Sequence, residues 1–217
     1  FNNFFNFGTE YLFCIQVNLI AFLLMKPLYQ ELPFTVDNYI NFYREDLPYF
    51  IVPWHYHPEV EIMCIEKGIG TRFVGDHIEG YSEGDVCMMG PQLPHEWRND
   101  KEYQDTALGL RAICHCVYFR IELFSGVMIR LPEMARIREL IERSRRGIKF
   151  VGESREKIAS YIRQTFNREG VERVTNLLTL LDMMATTEEY ELLASVGFTQ
   201  SVNSSDFERF NKIYQFL

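Results

Sequence analysis

Between about Phe50 and Phe124, apolar and polar positions alternate in short runs, and glycines separate the runs. EIMCIEKG, GTRFVGDHIEGY, GDVCMMGPQLPHEW and TALGLRAICHCVYFRI each read as one or two strands, with Gly68, Gly70, Gly75, Gly80, Gly84 and Gly90 between them. Short β-prone segments in this rhythm predict a compact sandwich or small barrel. After Leu131 the period lengthens. PEMARIRELIERSRRG sets a proline near a helix start, Met134, Ile137, Leu140 and Ile141 on one side, basic residues late and a glycine at its end. Ser154 is placed to cap a second helix carrying Ile158, Tyr161, Ile162 and Phe166, which ends near Gly170. A third helix, about residues 171–186, repeats Val171, Val174, Leu178, Leu181 and Ala185, with Leu177, Leu180 and Met184 beside them. Its stripe is wide enough for two arrangements: one flank covers the strands while the other meets a second subunit, or the whole stripe is intrachain core.

The two ends follow neither period. GFTQSVNSS is polar, small and aperiodic, and reads as a linker. Ser205 and Glu208 then form a capping box that opens a last helix, DFERFNKIYQFL. At the front, YLFCIQVNLIAFLLM is a hydrophobic run broken by Gln16 and Asn18. It falls short of the ~20 residues a spanning helix needs, and no basic residue precedes it. Organised pattern begins at Met25, so residues 1–24 are read as an uncertain N-terminal extension with no chemistry assigned.

Composition narrows the classes. The chain has 217 residues, 47% of them apolar, enough to bury a substantial core. Its net charge of −8 argues against a nucleic-acid surface within this stretch, because phosphates demand a basic one. The basic run Arg136, Arg138, Arg143, Arg145, Arg146 and Lys149 lacks interleaved aromatics and reads as a solvated helix face. Five cysteines without framework spacing favour reduced thiols and a cytoplasmic setting. Cys114 and Cys116 flank His115 and on a strand point both sulfurs to one face, where two small buried hydrophobes are preferred over a structural zinc.

The chemistry concentrates in two segments. His55, His57 and Glu61 all occupy odd positions, so one extended strand would project them together with Met63 and Ile65. Pro58 cannot donate to a ladder and implies an edge or bulge in that strand. His95, after GPQLP, is expected to close the site from across the barrel. Three imidazoles and a carboxylate suit Fe, Mn, Ni or Zn as the divalent ion, and bind only when deprotonated, so occupancy should fall below about pH 6.5. Trp54 and Trp97 flank the histidine segments as a pocket wall or as ordinary core. Arg72 is either a partner for an anionic effector or a solvated strand residue.

These segments resemble the two cupin motifs. His55, His57, Glu61 and Gly68 fall on the first, although Phe50 and Ile51 lie where an opening glycine is expected. Gly84, His95 and Asn99 fall on the second, with Gly90 and Gln92 replacing its proline and glycine. The resemblance implies a mainly β cupin, the double-stranded β-helix or jelly-roll barrel, over about residues 45–125. Taken with MKPLYQELPF, PWHYHPEVEI, PEMARIRELIERSRRGIKF and ERFNKIYQFL, residues 25–217 resemble bacterial regulators of the AraC/XylS family. That resemblance implies a cupin-type sensor at 25–130, an α-helical dimerisation segment at 131–197, and a linker with the first helix of a helix-turn-helix domain at 198–217. It implies a homodimer, no membrane partner and no enzymatic activity. A small-molecule effector would be met by His55, His57, Glu61, Arg72, His95 and Trp97, and DNA by recognition helices outside this chain. A metal-dependent cupin enzyme, a dioxygenase or isomerase, is the alternative the local motif alone allows.

Overall fold

The computed structural model describes residues 27–34, 38–166 and 168–198. The hydrophobic run at 11–25 and the Ser205/Glu208 helix lie outside the described residues. No helix among the described residues is long and apolar enough to cross a membrane.

Among the described residues, eleven strands form two sheets. The five-stranded sheet has the order β1 (Leu28–Tyr29), β3 (His55–Tyr56), β8 (His95–Asn99), β5 (Gly70–Val74), β6 (His77–Tyr81). The six-stranded sheet runs β11 (Tyr190–Leu192), β10 (Ile148–Phe150), β7 (Val86–Met89), β4 (Val60–Lys67), β9 (Ala112–Phe119), β2 (Ile40–Leu47). Three helices follow the barrel strands: α1 (Ala135–Ser144), α2 (Gly152–Thr165) and α3 (Gly170–Thr186). This is the expected mainly β jelly-roll followed by helices.

Period-two alternation sorts the six-stranded sheet into two faces. Val60, Ile62, Cys64, Val86, Met88, Val117 and Phe119 pack against Ile137, Leu140, Ile158, Ile162, Leu177, Leu180, Leu181 and Met184 of the helices. Met63, Ile65, Cys87, Met89, Cys114 and Cys116 point the other way and meet Val74, Tyr81 and Trp97 of the facing sheet. The molecule is therefore three layers, sheet, sheet and helices, with a core in each gap.

Leu177 and Leu181 of α3 are fully buried in the chain's own core, while Val171 and Val174 near its start are exposed. The intrachain arrangement thus accounts for most of the stripe, and a Leu181 substitution would test folding before self-association. Ser154 does not cap α2. The helix starts two residues earlier, and the Ser154 N–H donates to Glu189 Oε2 at 2.8 Å. The basic run is largely tied down: Arg143 lies over the Tyr190 ring, Arg146 donates to the Ala194 carbonyl, and Lys149 pairs with Glu79.

Four strands were not legible as strands, the two-residue β1 among them. β2 carries Arg44, Glu45 and Asp46 and forms an edge beside β9 only, where charged residues are tolerated. β10 and β11 are three residues each and extend the barrel sheet from within the helical segment.

Candidate metal centre and effector site

His55, His57 and Glu61 do not share one strand. β3 ends at Tyr56 and β4 begins at Val60, so residues 57–59 carry the chain from one sheet to the other, with Pro58 in the crossing. His55 therefore belongs to the five-stranded sheet, Glu61 to the six-stranded sheet and His57 to the connection. His95 does not come from across the barrel either. It is the direct register partner of His55 on the neighbouring strand, and Glu61 is the group that faces them from the opposite sheet.

The result is the donor set the motif implied, reached by a different path. His55, His57, Glu61 and His95 are all buried, and their ligand atoms lie within 4.8 Å of one another. His95 Nε2 is 2.8 Å and His57 Nε2 3.2 Å from Glu61 Oε2. The ring centroids of His55 and His95 are 4.2 Å apart.

Each imidazole is oriented through its other nitrogen. Nδ1 of His55 faces the Pro53 carbonyl at 2.7 Å, Nδ1 of His57 the Glu59 carbonyl at 3.2 Å, and Nδ1 of His95 the Leu93 carbonyl at 2.7 Å. A carbonyl can only accept, so Nδ1 carries the proton and donates in all three. In the neutral rings Nε2 then bears a lone pair, and those of His57 and His95 are aimed at a carboxylate oxygen. Lone pair against anion is repulsive unless a proton or a cation stands between them. A divalent metal answers the whole arrangement at once, and the three nitrogens and one oxygen fit Fe, Mn, Ni or Zn.

Two of the four groups are shifted toward their ligating protonation states. Burial pushes the His55 pKa well down, and the nearby His95 adds to the effect. Burial alone would raise the Glu61 carboxyl, but attraction and hydrogen bonding from His95 and His57 outweigh it and hold the group below its ordinary range, as they can only where a proton or a cation lies between Nε2 and the carboxylate oxygen. Neutral imidazole and ionised carboxylate are the forms that bind metal.

The turn before His95 shows how the second motif survives its substitutions. Gln92 adopts a φ of 65°, the left-handed conformation that the missing glycine would take without strain. Its N–H donates to the His57 carbonyl at 2.8 Å, binding the turn to the crossing segment. Tyr118 is a site neighbour that sequence reasoning missed. It is the register partner of Glu61, and its ring centroid is 5.6 Å from that of His57. The shared parity of Cys114, Cys116 and Tyr118 was the available signal.

Deeper in the barrel lie Trp97 and Arg72, register partners on β8 and β5. Arg72 is not solvated. It is fully buried, with one terminal nitrogen on Asp85 at 3.1 Å and the other on Glu79 at 2.6 Å. Its Nε has no hydrogen-bond partner among the described residues, and neither do Trp97 Nε1 and the Tyr81 hydroxyl. Trp54 is buried as well. Three orphaned polar groups on neighbouring strands of one sheet are costly in a packed interior, and two of them can only donate.

The sulfurs of Cys114 and Cys116 are 3.5 Å apart on one face, as their spacing required. Burial raises the Cys87 thiol to about 11, and the Cys114 contact together with burial raises that of Cys116. Such thiols stay protonated and pack as small apolar groups. At the outer end of the crossing segment a cleft of about 330 Å³ opens between Tyr29, Phe34, Tyr39, Pro58, Glu59 and Arg120. Its size is at the lower end of the range for small-molecule sites.

The family described as the AraC-like ligand binding domain matches residues 38–168. No curated protein matches the chain. Among solved structures, the chain is similar to a cupin 2 conserved barrel domain protein from Rhodopseudomonas palustris, at 20% identity over 41% of this chain and 57% of that one, with a TM-score of 0.31. It is similar to the AraC-like transcriptional activator CuxR, at 10% identity over 73% and 51% of the two chains, with a TM-score of 0.41. It is also similar to ToxT from Vibrio cholerae with unsaturated fatty acid bound, at 10% identity over 79% and 68%, with a TM-score of 0.40. The chain spans little more than half the length of the first two.

Proposed function

The chain belongs to the family of AraC-like ligand-binding domains, and from that premise we propose that it is the effector-binding region of a bacterial transcription regulator acting in the cytoplasm. The observation that carries the reading is the unequal state of the barrel interior. One end holds three pre-oriented imidazoles turned toward the carboxylate of Glu61, and the same interior holds orphaned donors on Arg72 and Trp97. A purely structural core has no use for either.

In this reading His55, His57, Glu61 and His95 hold a divalent transition metal. When bound, the ion supplies a Lewis-acidic attachment point for an oxygen or nitrogen of the effector. Arg72 and Trp97 supply N–H donors to an acceptor group on the same molecule, and the Tyr81 hydroxyl completes the set. The cleft beside Pro58 and Glu59 is the approach for a small molecule. Residues 25–130 form the sensor. The helices of residues 131–197 carry dimerisation through the surface around Val171 and Val174, and residues 198–217 begin the DNA-binding part. An effector that contacts two arrangements of barrel and helices unequally shifts the balance between them, and one that binds both equally shifts nothing.

The test is metal content and binding in the purified protein and in His95→Ala. The expected result is about one divalent ion per chain, an affinity reduced by at least about 100-fold in the variant, and a melting temperature of the metal-free protein that hardly moves. A large loss of folded protein with unchanged metal per folded molecule would make His95 a structural residue. Catalytic turnover of an oxygen-dependent or isomerase type, abolished by Glu61→Gln, would favour a cupin enzyme instead.

A further inference from the structure

The linker reading begins at Gly197, and the residues between β11 and that point, with Phe198, are built into the end of the barrel. Leu193 and Ala194 are buried in the inner core with Val74, Leu93 and Trp97, and Phe198 packs against that core. Three successive amides are satisfied there. The Leu193 N–H donates to the Gly147 carbonyl at 3.0 Å, that of Ala194 to the Arg146 carbonyl at 2.7 Å, and that of Ser195 to Asp76 Oδ1 at 2.8 Å. Arg146 returns a side-chain bond to the Ala194 carbonyl at 2.8 Å.

One glycine makes room for this segment and a second lies beside it. A Cβ on Gly75 would stand 2.8 Å from the Ala194 Cβ and 3.1 Å from the Phe198 ring; one on Gly147 would crowd Val74 at 2.7 Å and only touch Leu193 and Leu93 at 3.4 Å. Both glycines also have positive φ, at 58° and 67°.

The same groups touch His95. Its Nδ1 donates to the carbonyl of Leu93, whose side chain packs beside Leu193 against Gly147. The next carbonyl, Pro94, accepts from the Gly75 N–H at 2.9 Å, and Gly75 with Asp76 forms the turn that holds Ala194, Ser195 and Phe198. Two short chains of contact thus run from one ligand histidine to the exit segment, one through side chains and one through backbone.

We propose that residues 193–198 form a latch whose docking on the barrel tightens when His95 is held by a metal, passing the state of the site to the residues that follow. The proposal rests on the metal reading of the site. An ion on Nε2 strengthens the Nδ1–H bond to Leu93 and fixes the Leu93–Pro94 turn, which is the floor the latch sits on. By reciprocity, loosening the latch weakens metal binding by the same factor.

Hydrogen–deuterium exchange of the whole chain with and without Ni(II), paired with calorimetry on the same samples, tests it. Ni(II) is expected to slow exchange at Leu193, Ala194 and Ser195 by about ten-fold, within the usual span of such couplings, with little change in α2. Asp76→Ala removes the acceptor for Ser195 and should speed latch exchange and weaken Ni(II), while Asp76→Asn, which keeps an acceptor oxygen, should restore both. Ni(II) binding with unchanged latch exchange overturns the latch and leaves the metal site standing. Slowing spread evenly over the barrel overturns it too, as plain global stabilisation. Failure of Ni(II) to bind at all removes the site reading and the coupling together.

Discussion

The two faces of the six-stranded sheet differ by a one-residue step along each strand and are built on opposite rules. On β4, Val60, Ile62 and Cys64 face the helices, in a gap that is mostly aliphatic and aromatic and takes in one buried histidine, His115. Glu61, Met63 and Ile65 face the other sheet, in a gap that also takes in three histidines, a buried arginine and several orphaned polar atoms. Hydrophobic burial contributes roughly 1.5–3 kcal/mol per large side chain on the outer face. The inner face gives up part of that gain to hold groups that need a partner. The lesson is a division of labour: the helix-facing core stabilises the sheet, and that stability lets the barrel interior carry polar groups poised for a ligand.

The sharpest way to break this comparison is to injure each face and read both properties. Ile62→Ala should cost about 2–5 kcal/mol of stability in urea or thermal unfolding, as a truncated core residue does. Metal bound per folded molecule should stay unchanged. If Ile62→Ala instead abolished metal binding in protein that remained folded, the faces would not be separable.

A smaller effect follows from pH, and each face contributes one group. Burial lowers the pKa of His55 on the inner side, and burial, partly offset by Glu66, lowers that of His115 on the helix side. A depressed histidine is protonated more readily when unfolded. The metal-free protein should therefore keep its full stability above about pH 6.5 and lose it as the pH falls below that value. The slope is about 1.4 kcal/mol per pH unit for each group, within the window between its two pKa values. Melting curves between pH 5 and 8 check this, and His115→Gln should remove its share of the slope without touching the metal donors. A flat profile would mean that neither histidine is buried neutral.

The smallest expected effect is the most discriminating for the inner face. Tyr81→Phe deletes a hydroxyl that has no partner, so the unliganded protein should lose nothing or gain up to about 1 kcal/mol. Denaturant midpoints would show it. A loss of more than that would reveal a bond from this hydroxyl to the protein or to ordered water.

How much of this was legible depends on what each feature asks of a residue. The donor set could be read because ligation demands particular side chains, and His55, His57, Glu61 and His95 stand in a recognisable spacing. Their route to one point could not, because Pro58 breaks the strand and alternation stops being a guide across residues 57–59. The barrel strands showed in their period. β10 and β11 did not, since three residues hold too few alternations, and β2 was hidden by its edge charges. The latch was the deepest omission. Leu193, Ala194 and Phe198 are held by backbone hydrogen bonds and by space left at Gly75, and neither has a pattern along the chain.

The sequence holds two tryptophans, and Trp97 has its ring centroid 5.8 Å from that of His95. An indole that close to a ligand histidine is a native optical gauge. Its emission responds to whatever the imidazole holds, and Trp54→Phe would leave it as the single tryptophan emitter, so the barrel can report its own contents in real time without a label.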